Sequence, residues 1–300
     1  MTLDDCITLY IENKEAGAII LSLQMDFRLT QVDVKVPYNK DSVLILKDIN
    51  LRISQGEWIS IVGKNGSGKS TLAQLLTGVH SVSSGMVDRG FCGNEPIPYV
   101  MQQEVQWFGE TPWDDMVFLL ESRGENVARI PEIIRFALQS VGLYEQRDRL
   151  FTELSGGQKQ LAVIAGCLAA KTPILVFDEA TSMLDSTSRL QVLETAKMIN
   201  REGTAVIWLT HHMEDLSFGE RVVALEEGGI VYDDSTASFF YPSTLSGINI
   251  KGSPLTPCEE LGFILPYPIQ VAHALKLQGI QLDPQPLTIK QLVEAVSRHG

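Results

Sequence analysis

The sequence predicts an α/β fold. A mixed, mainly parallel core sheet is preceded by an antiparallel β subdomain, interrupted by a helical subdomain and followed by a small helical C-terminal extension. Three observations predict it. Residues 58–62 (WISIV), 174–177 (ILVF) and 205–209 (AVIWL) are short, wholly apolar runs, the signature of strands buried on both faces. Ahead of them, apolar residues alternate at Val32, Val34 and Val36 and again at Ile49, Leu51 and Ile53, as in a half-buried antiparallel sheet. Between the first two apolar runs, residues 110–170 are mostly helical in pattern, broken at Gly124 and Gly142.

The remaining elements follow in order. Alternation at Ile7, Leu9 and Ile11, a polar turn over 12–17 and an apolar stretch over 18–23 predict extra strands before the antiparallel sheet. Residues 221–232 read as a hairpin turning at Gly228-Gly229. Residues 235–254 are rich in Ser, Pro and Gly and nearly uncharged, which predicts a linker. Residues 255–300 form a small helical unit. The expected domains are thus 1–240, with the helical subdomain at about 105–170, and 241–300, a linker and helical extension suited to dimerisation. The extension carries Leu261, Phe263, Leu265, Ile269, Val271 and Leu275 with few charges.

Composition excludes several classes. The chain has 300 residues, 44% hydrophobic and 20% charged, ordinary values for a globular protein. Its net charge is 24 − 37 = −13, which argues against a broadly basic nucleic-acid surface. Cys6, Cys92, Cys167 and Cys258 lie far apart without a CxxC pair, so free thiols are expected rather than a zinc site or disulfide framework. The start, MTLDDCITLY, lacks the basic residues of a signal peptide, and no run of about 18 apolar residues would cross a membrane.

The chemistry lies in three motifs. Gly63, Lys64, Asn65, Gly66, Ser67, Gly68, Lys69 and Ser70 fit GxxxxGK[ST], directly after a buried strand and before an apolar helix opening at Thr71. Glycines let backbone N–H groups wrap phosphates, and the helix N-terminus adds positive potential. Lys69 would reach the β- and γ-phosphates and the Ser70 hydroxyl would ligate Mg²⁺. The second motif is Asp178-Glu179 at the end of the 174–177 strand, where a parallel strand faces its ligand crevice. Asp178 would hold the magnesium shell, and Glu179 would orient and deprotonate the attacking water. The third is Leu154, Ser155, Gly156, Gly157 and Gln158, immediately before a helix. Ser155 can cap that helix, and the glycines allow close approach to a phosphate. Because one loop already cradles the triphosphate, this second anion site is best explained as serving the nucleotide of another protomer.

These residues resemble those of the ATP-binding cassette ATPases, whose signature is LSGGQ and whose Walker A and Walker B motifs match 63–70 and 174–179. The resemblance implies a P-loop NTPase cassette that binds ATP and Mg²⁺ and works as a dimer. It implies roles for four further positions. Gln102 corresponds to the Q-loop glutamine, a magnesium and water ligand; Asp185, in Ser182-Met183-Leu184-Asp185, to the D-loop; His211 to the switch histidine at the γ-phosphate; and Tyr38 to the aromatic that stacks on adenine. His212 stands where the family usually has Asp, Leu161 where it has Arg, Ala180 for a usual Pro and Met183 for a usual Gly.

Residues 109–118 (GETPWDDMVF) and the tail from Leu261 to Ala295 resemble the energy-coupling factor (ECF) transporter ATPases. That resemblance implies a peripheral subunit on the cytoplasmic face of the membrane, paired as a homo- or heterodimer. It also implies a transmembrane coupling subunit and a membrane substrate-binding subunit for a vitamin or transition-metal ion. The coupling subunit is expected to meet an acidic, aromatic groove containing Glu104, Asp114 and Asp115, with Trp107, Phe108, Trp113 and Phe118 interleaved.

Overall fold

The computed structural model describes residues 26–38, 41–101, 107–241 and 255–299. The strands expected around Ile7 to Leu23 and most of the expected linker fall outside these residues. Two sheets form the frame. The antiparallel one has the order β2-β1-β4, built from β1 (Phe27–Tyr38), β2 (Asp41–Ile53) and β4 (Ser84–Asp88).

The larger sheet runs β5-β6-β7-β3-β8-β9. Its members are β3 (Trp58–Gly63), β5 (Tyr99–Met101), β6 (Ile174–Asp178), β7 (Ala205–Leu209), β8 (Arg221–Glu226) and β9 (Gly229–Ser235). All neighbours are parallel except the β8–β9 hairpin. The three apolar runs are β3, β6 and β7, and every residue of β3 and β7 is buried.

Side-chain alternation divides this sheet between two cores. Ile59, Ile61, Ile174, Val176, Ile207 and Leu209 pack with the antiparallel sheet and α1 (Lys69–Leu76). Trp58, Leu175, Phe177, Val206 and Trp208 pack on the opposite face with the helical subdomain. That subdomain holds α2 (Pro112–Ser122), α3 (Ile130–Ser140) and α4 (Gly156–Ala169), and α5 (Ser186–Arg201) lies beside it. Among the aromatics of this core, Trp58 stacks on Trp208 at 5.6 Å between centroids.

The hairpin is real, but its turn is one residue earlier than expected. Glu226 pairs with Gly229, leaving Glu227 and Gly228 at the corner with φ of 47° and 84°. Two successive positive φ values give the twist that a tight hairpin needs. A Cβ on Gly228 would come within 2.2 Å of the Ile45 carbonyl oxygen, so this corner is pressed against β2.

The linker expectation also needs correction at its start. Residues 236–240 form α6 (Thr236–Phe240), capped by Ser235, and Phe239 and Phe240 are fully buried. The Ser-rich composition reflects helix capping here. These two rings join Val62, Val222 and Ala224 of the sheet to Cys258, Leu265 and Ile269 of the C-terminal extension. The extension comprises α7 (Pro257–Glu260), α8 (Tyr267–Leu277) and α9 (Ile289–His299). Its own small core joins Ala272, Leu282, Leu292 and Ala295, with Val271 and Leu275 against it. The apolar residues that the sequence offered for dimerisation therefore point mainly inward. Ile289, Val293 and Val296 are the ones exposed along α9.

Cys92, Cys167 and Cys258 are buried and free, as expected, and burial raises the thiols to about 11, 12 and 12 respectively. Replacing Phe240 with Ala should destabilise the chain by about 3–5 kcal/mol, the cost of emptying a large aromatic site. Denaturant unfolding measures it; a change below about 0.5 kcal/mol is what a true linker residue would give.

Candidate active site

The loop between β3 and α1 closes around the Lys69 side chain. Lys69 is only 6% exposed, and its Nζ donates to the carbonyl oxygens of Gly63 at 2.8 Å and Lys64 at 3.3 Å. Burial lowers its pKa, while Glu179 and Asp178 pull in the opposite direction. Gly63 permits the wrap: a Cβ there would lie 2.5 Å from the Leu225 carbonyl oxygen. Behind the loop, Gly228 N donates to Ser67 O, and Lys47 N donates to Gly228 O. Strand β2 and the hairpin corner thus brace the loop. The N-cap of α1 is Gly68, which supplies no side-chain cap, so the first-turn amides remain available to an anion.

A cleft of about 640 Å³ opens in front. Asn65, Gly66, Gly68, Lys69, Ser70 and Thr71 line it from the loop, with Asp178 and Glu179 opposite and Ile45, Gln74, Tyr99 and Met101 at its sides. The phosphate-binding and carboxylate motifs therefore meet as expected. Asp178 ends β6, and its Oδ2 accepts a 2.6 Å hydrogen bond from the Tyr99 hydroxyl. Burial, then Asp178 itself, raises the Tyr99 pKa. Glu179 follows at φ 49°, a left-handed conformation that costs a non-glycine residue energy and is found at functional sites. Its N–H donates to Leu209 O, and its Oε2 lies 3.5 Å from His211 Nδ1.

The loop carrying His211 hangs from a buried carboxylate. Asp215 is 1% exposed and takes hydrogen bonds from Arg189, from Thr210 Oγ1 at 2.9 Å and from Trp208 Nε1 at 3.3 Å. Thr210 Oγ1 in turn accepts from His212 N at 3.0 Å. A buried charge must be paired, so this network fixes the loop on α5. The His212 pKa is lowered first by burial, then by Arg189 and His211.

The third motif stands apart. Ser155 caps α4, accepting from Gln158 N at 3.3 Å, while Gln158 Oε1 accepts from Ser155 N at 2.9 Å. None of Ser155, Gly156, Gly157 or Gln158 lines the Lys69 cleft. Only Gly156 is open to solvent among the two glycines. A Cβ on Gly157 would press within 2.8 Å of the Ser188 Cβ, so that glycine serves the packing of α4 on α5. Asp185 caps α5 through Thr187 N, Ser188 N and Ser188 Oγ. Its carboxyl is held below the usual range, chiefly by the Ser188 hydroxyl.

Other expected residues are placed as follows. Tyr38 closes β1 opposite Asp41, and its side chain is outside the described residues, as are Gln102 and Glu104 altogether. Asp114 is exposed at the start of α2, where its Oδ2 accepts from the Thr111 hydroxyl. Asp115 is used internally: its Oδ1 accepts from the backbone N–H of Phe108 and of Gly109. Trp107 stacks on Phe151 at 3.7 Å, whereas Phe108 and Phe118 stack on each other at 4.7 Å while 78% and 48% exposed. Sequence reading passed over Tyr99, Arg189 and Asp215. Nothing in the sequence joins Tyr99 to Asp178, because that contact depends on the β5–β6 register.

Comparisons with known proteins agree with this geometry. The ABC transporter family profile matches residues 46–182. The energy-coupling factor transporter ATP-binding protein EcfA1 of Halalkalibacterium halodurans is 35% identical over 288 residues, spanning 92% of this chain and 99% of that protein. Its counterpart in Streptococcus sanguinis is 34% identical, spanning 87% and 93%. Among solved structures, cbiO1 from Clostridium perfringens, described as part of the ABC transporter complex cbiONQ, superposes with a TM-score of 0.64 at 26% identity, over 71% of this chain and 90% of that one. A dimeric bacterial ABC transporter cassette gives 0.62 at 25% identity, over 70% and 98%. The chain belongs to the ATP-binding cassette ATPases of ABC transporters. Within them it is an ATPase of the energy-coupling factor kind.

Replacing Glu179 with Gln should leave ATP binding intact and slow hydrolysis by about 10²–10⁴-fold, the usual value of a positioned base. Steady-state ATPase assays beside nucleotide binding check it, and unchanged turnover would remove Glu179 from the reaction.

Proposed function

We propose that this chain is the ATP-hydrolysing subunit of an importer of the energy-coupling factor type, acting at the cytoplasmic face of the membrane. What supports it is the division of one catalytic set between two surfaces, together with the kinship to EcfA1 proteins. The cleft gathers Lys69, Ser70, Asp178 and Glu179, with His211 3.5 Å from the Glu179 carboxylate, while the signature turn faces elsewhere, beside the D-loop. Two protomers facing head to tail would each complete the other's site. The dimeric cassette among the structural relatives has this subunit number.

The residues fit magnesium-bound ATP. The cleft offers the Ser70 hydroxyl and the Asp178 carboxylate, hard oxygen donors of the kind Mg²⁺ prefers, and Gln102 is the third candidate. Among the described residues no group of three or more His, Cys, Asp or Glu could hold a metal by itself, so the phosphates would complete the ligand set. When bound, the ion supplies charge neutralisation at the phosphate oxygens. Lys69 and the uncapped N–H groups of α1 hold the β- and γ-phosphates. Glu179 accepts the proton of the attacking water, and His211, 3.5 Å from it, keeps that carboxylate and the γ-phosphate in register. Ser155 and Gly156 of the partner protomer cover the phosphate from the other side.

No helix among the described residues is long and apolar enough to cross a membrane; kinship to the EcfA1 transporter proteins supports membrane partners. The exposed Phe108–Phe118 pair, with Asp114 at its rim, is the surface for an arginine-bearing helix of a coupling subunit: guanidinium stacks on aromatic faces and pairs with carboxylates. Asp115, beside it, gives Oδ1 to the loop amides and would have only Oδ2 to offer that helix. The cargo would be bound by a separate membrane subunit. The exposed stripe Ile289, Val293 and Val296 on α9 offers a contact to the second ATPase protomer.

Two experiments follow. Asp114→Lys combined with Phe118→Ser should leave the ATPase rate of the isolated chain within about twofold and abolish co-purification with the coupling subunit. A retained membrane complex would refute the groove. Ile289→Asp with Val293→Asp should shift sedimentation toward monomer without nucleotide; an unchanged profile would make the α9 stripe a free surface.

A further inference from the structure

We propose that Tyr99 is a positioning residue for the metal carboxylate, so that its hydroxyl sets the affinity of the site for the Mg²⁺ that accompanies nucleotide. The inference rests on the reading of Asp178 given above. Strands β5 and β6 are parallel, and Tyr99 stands opposite Val176, two residues before Asp178 on the same face. Two residues span roughly 6.6 Å along a strand, about the reach of a phenol from its Cα. Tyr99 therefore extends along the sheet and delivers its O–H to Asp178 Oδ2 at 2.6 Å, the short distance of a bond to an ionised acceptor. Oδ1 has no partner among the described residues, and both Asp178 and Tyr99 line the nucleotide cleft.

The consequence is geometric. A terminal aspartate on a strand has two side-chain torsions to fix, and the Tyr99 bond fixes them before any nucleotide arrives. The Tyr99 hydroxyl has one proton to give, and it is directed at Asp178 Oδ2. A side chain of similar size without the hydroxyl would fill the same space and leave the carboxylate free to rotate.

The test is the dependence of nucleotide binding on metal. A fluorescent ADP analogue would be titrated into the full chain at a series of free Mg²⁺ concentrations, with EDTA as the metal-free limit. Tyr99→Phe should raise the Mg²⁺ concentration for half-maximal tightening by about 10- to 150-fold, the range for loss of a hydrogen bond to a charged group. Metal-free affinity should stay within about twofold. Asp178→Asn should abolish most of the metal dependence, and adding Tyr99→Phe to it should change nothing further. If Asp178→Asn shifts the metal dependence and Tyr99→Phe does not, the positioning role is wrong. If Tyr99→Phe weakens binding equally with and without Mg²⁺, the tyrosine is merely structural. If Asp178→Asn itself leaves the metal dependence intact, the reading of Asp178 fails instead. Tyr99→Met repeats the comparison should the phenylalanine variant not fold.

Discussion

A buried ammonium is the constraint on which this molecule is organised. Lys69, at 6% exposure, is held by carbonyl oxygens that the chain before it turns back to offer and by the charges of Glu179 and Asp178. That turn requires β3 to end in a glycine between β7 and β8, with the Leu225 carbonyl so close that no Cβ fits. It requires Gly228 behind the loop, held between β2 and Ser67. The parallel order of the sheet then brings the ends of β6 and β7 to the same edge, and with them Asp178, Glu179 and the His211 loop. The antiparallel sheet is tied in through Ile45 and Lys47, so it belongs to the site as much as to the core.

Much of this was legible in the sequence for a simple reason: a phosphate site needs particular residues at fixed spacing on a particular kind of strand. Gly63 to Ser70 and Asp178-Glu179 announce themselves because their chemistry is local. The parallel strands were equally plain, since burial on both faces leaves unbroken apolar runs. What escaped depends on register and packing. The Tyr99 contact with Asp178 joins residues 79 apart through the β5–β6 alignment. Nothing in the sequence sets Asp215 apart from its neighbour Glu214, although it is the anchor of the His211 loop. The helix Thr236–Phe240 was hidden within a stretch whose Ser and Pro content argues for a linker, and only the fully buried pair Phe239 and Phe240 reveals it. The two glycines of the signature motif are alike on paper, and only the neighbouring Ser188 shows that a side chain at 157 would also collide with α5. Likewise Asp114 and Asp115 are equivalent on paper, and hydrogen bonds assign one to the surface and one to the loop.

The helical subdomain and the C-terminal extension use the same frame differently. The subdomain covers one face of the sheet through Trp58, Phe177 and Trp208, and its core is continuous with the ATP-binding half. The extension is joined through Val62, Val222, Phe239 and Phe240. It also approaches the phosphate loop, where Leu261 and Phe263 share a small cleft with Lys64 and Ser67. Its attachment is therefore a packed interface, and the chain carries it as part of the cassette.

The close fit of α4 on α5 has one more consequence. Gly157 against Ser188 and Gly156 beside Leu184 leave no room for the signature turn to slide relative to the D-loop. Next to Ser188 on α5, Arg189 grips Asp215, which holds Thr210 and, through it, His212 on either side of His211. The turn that opens α4 and the histidine 3.5 Å from the Glu179 carboxylate therefore hang on one helix, α5, through side-chain contacts alone, so a change in the seat of α5 reaches both ends of that chain.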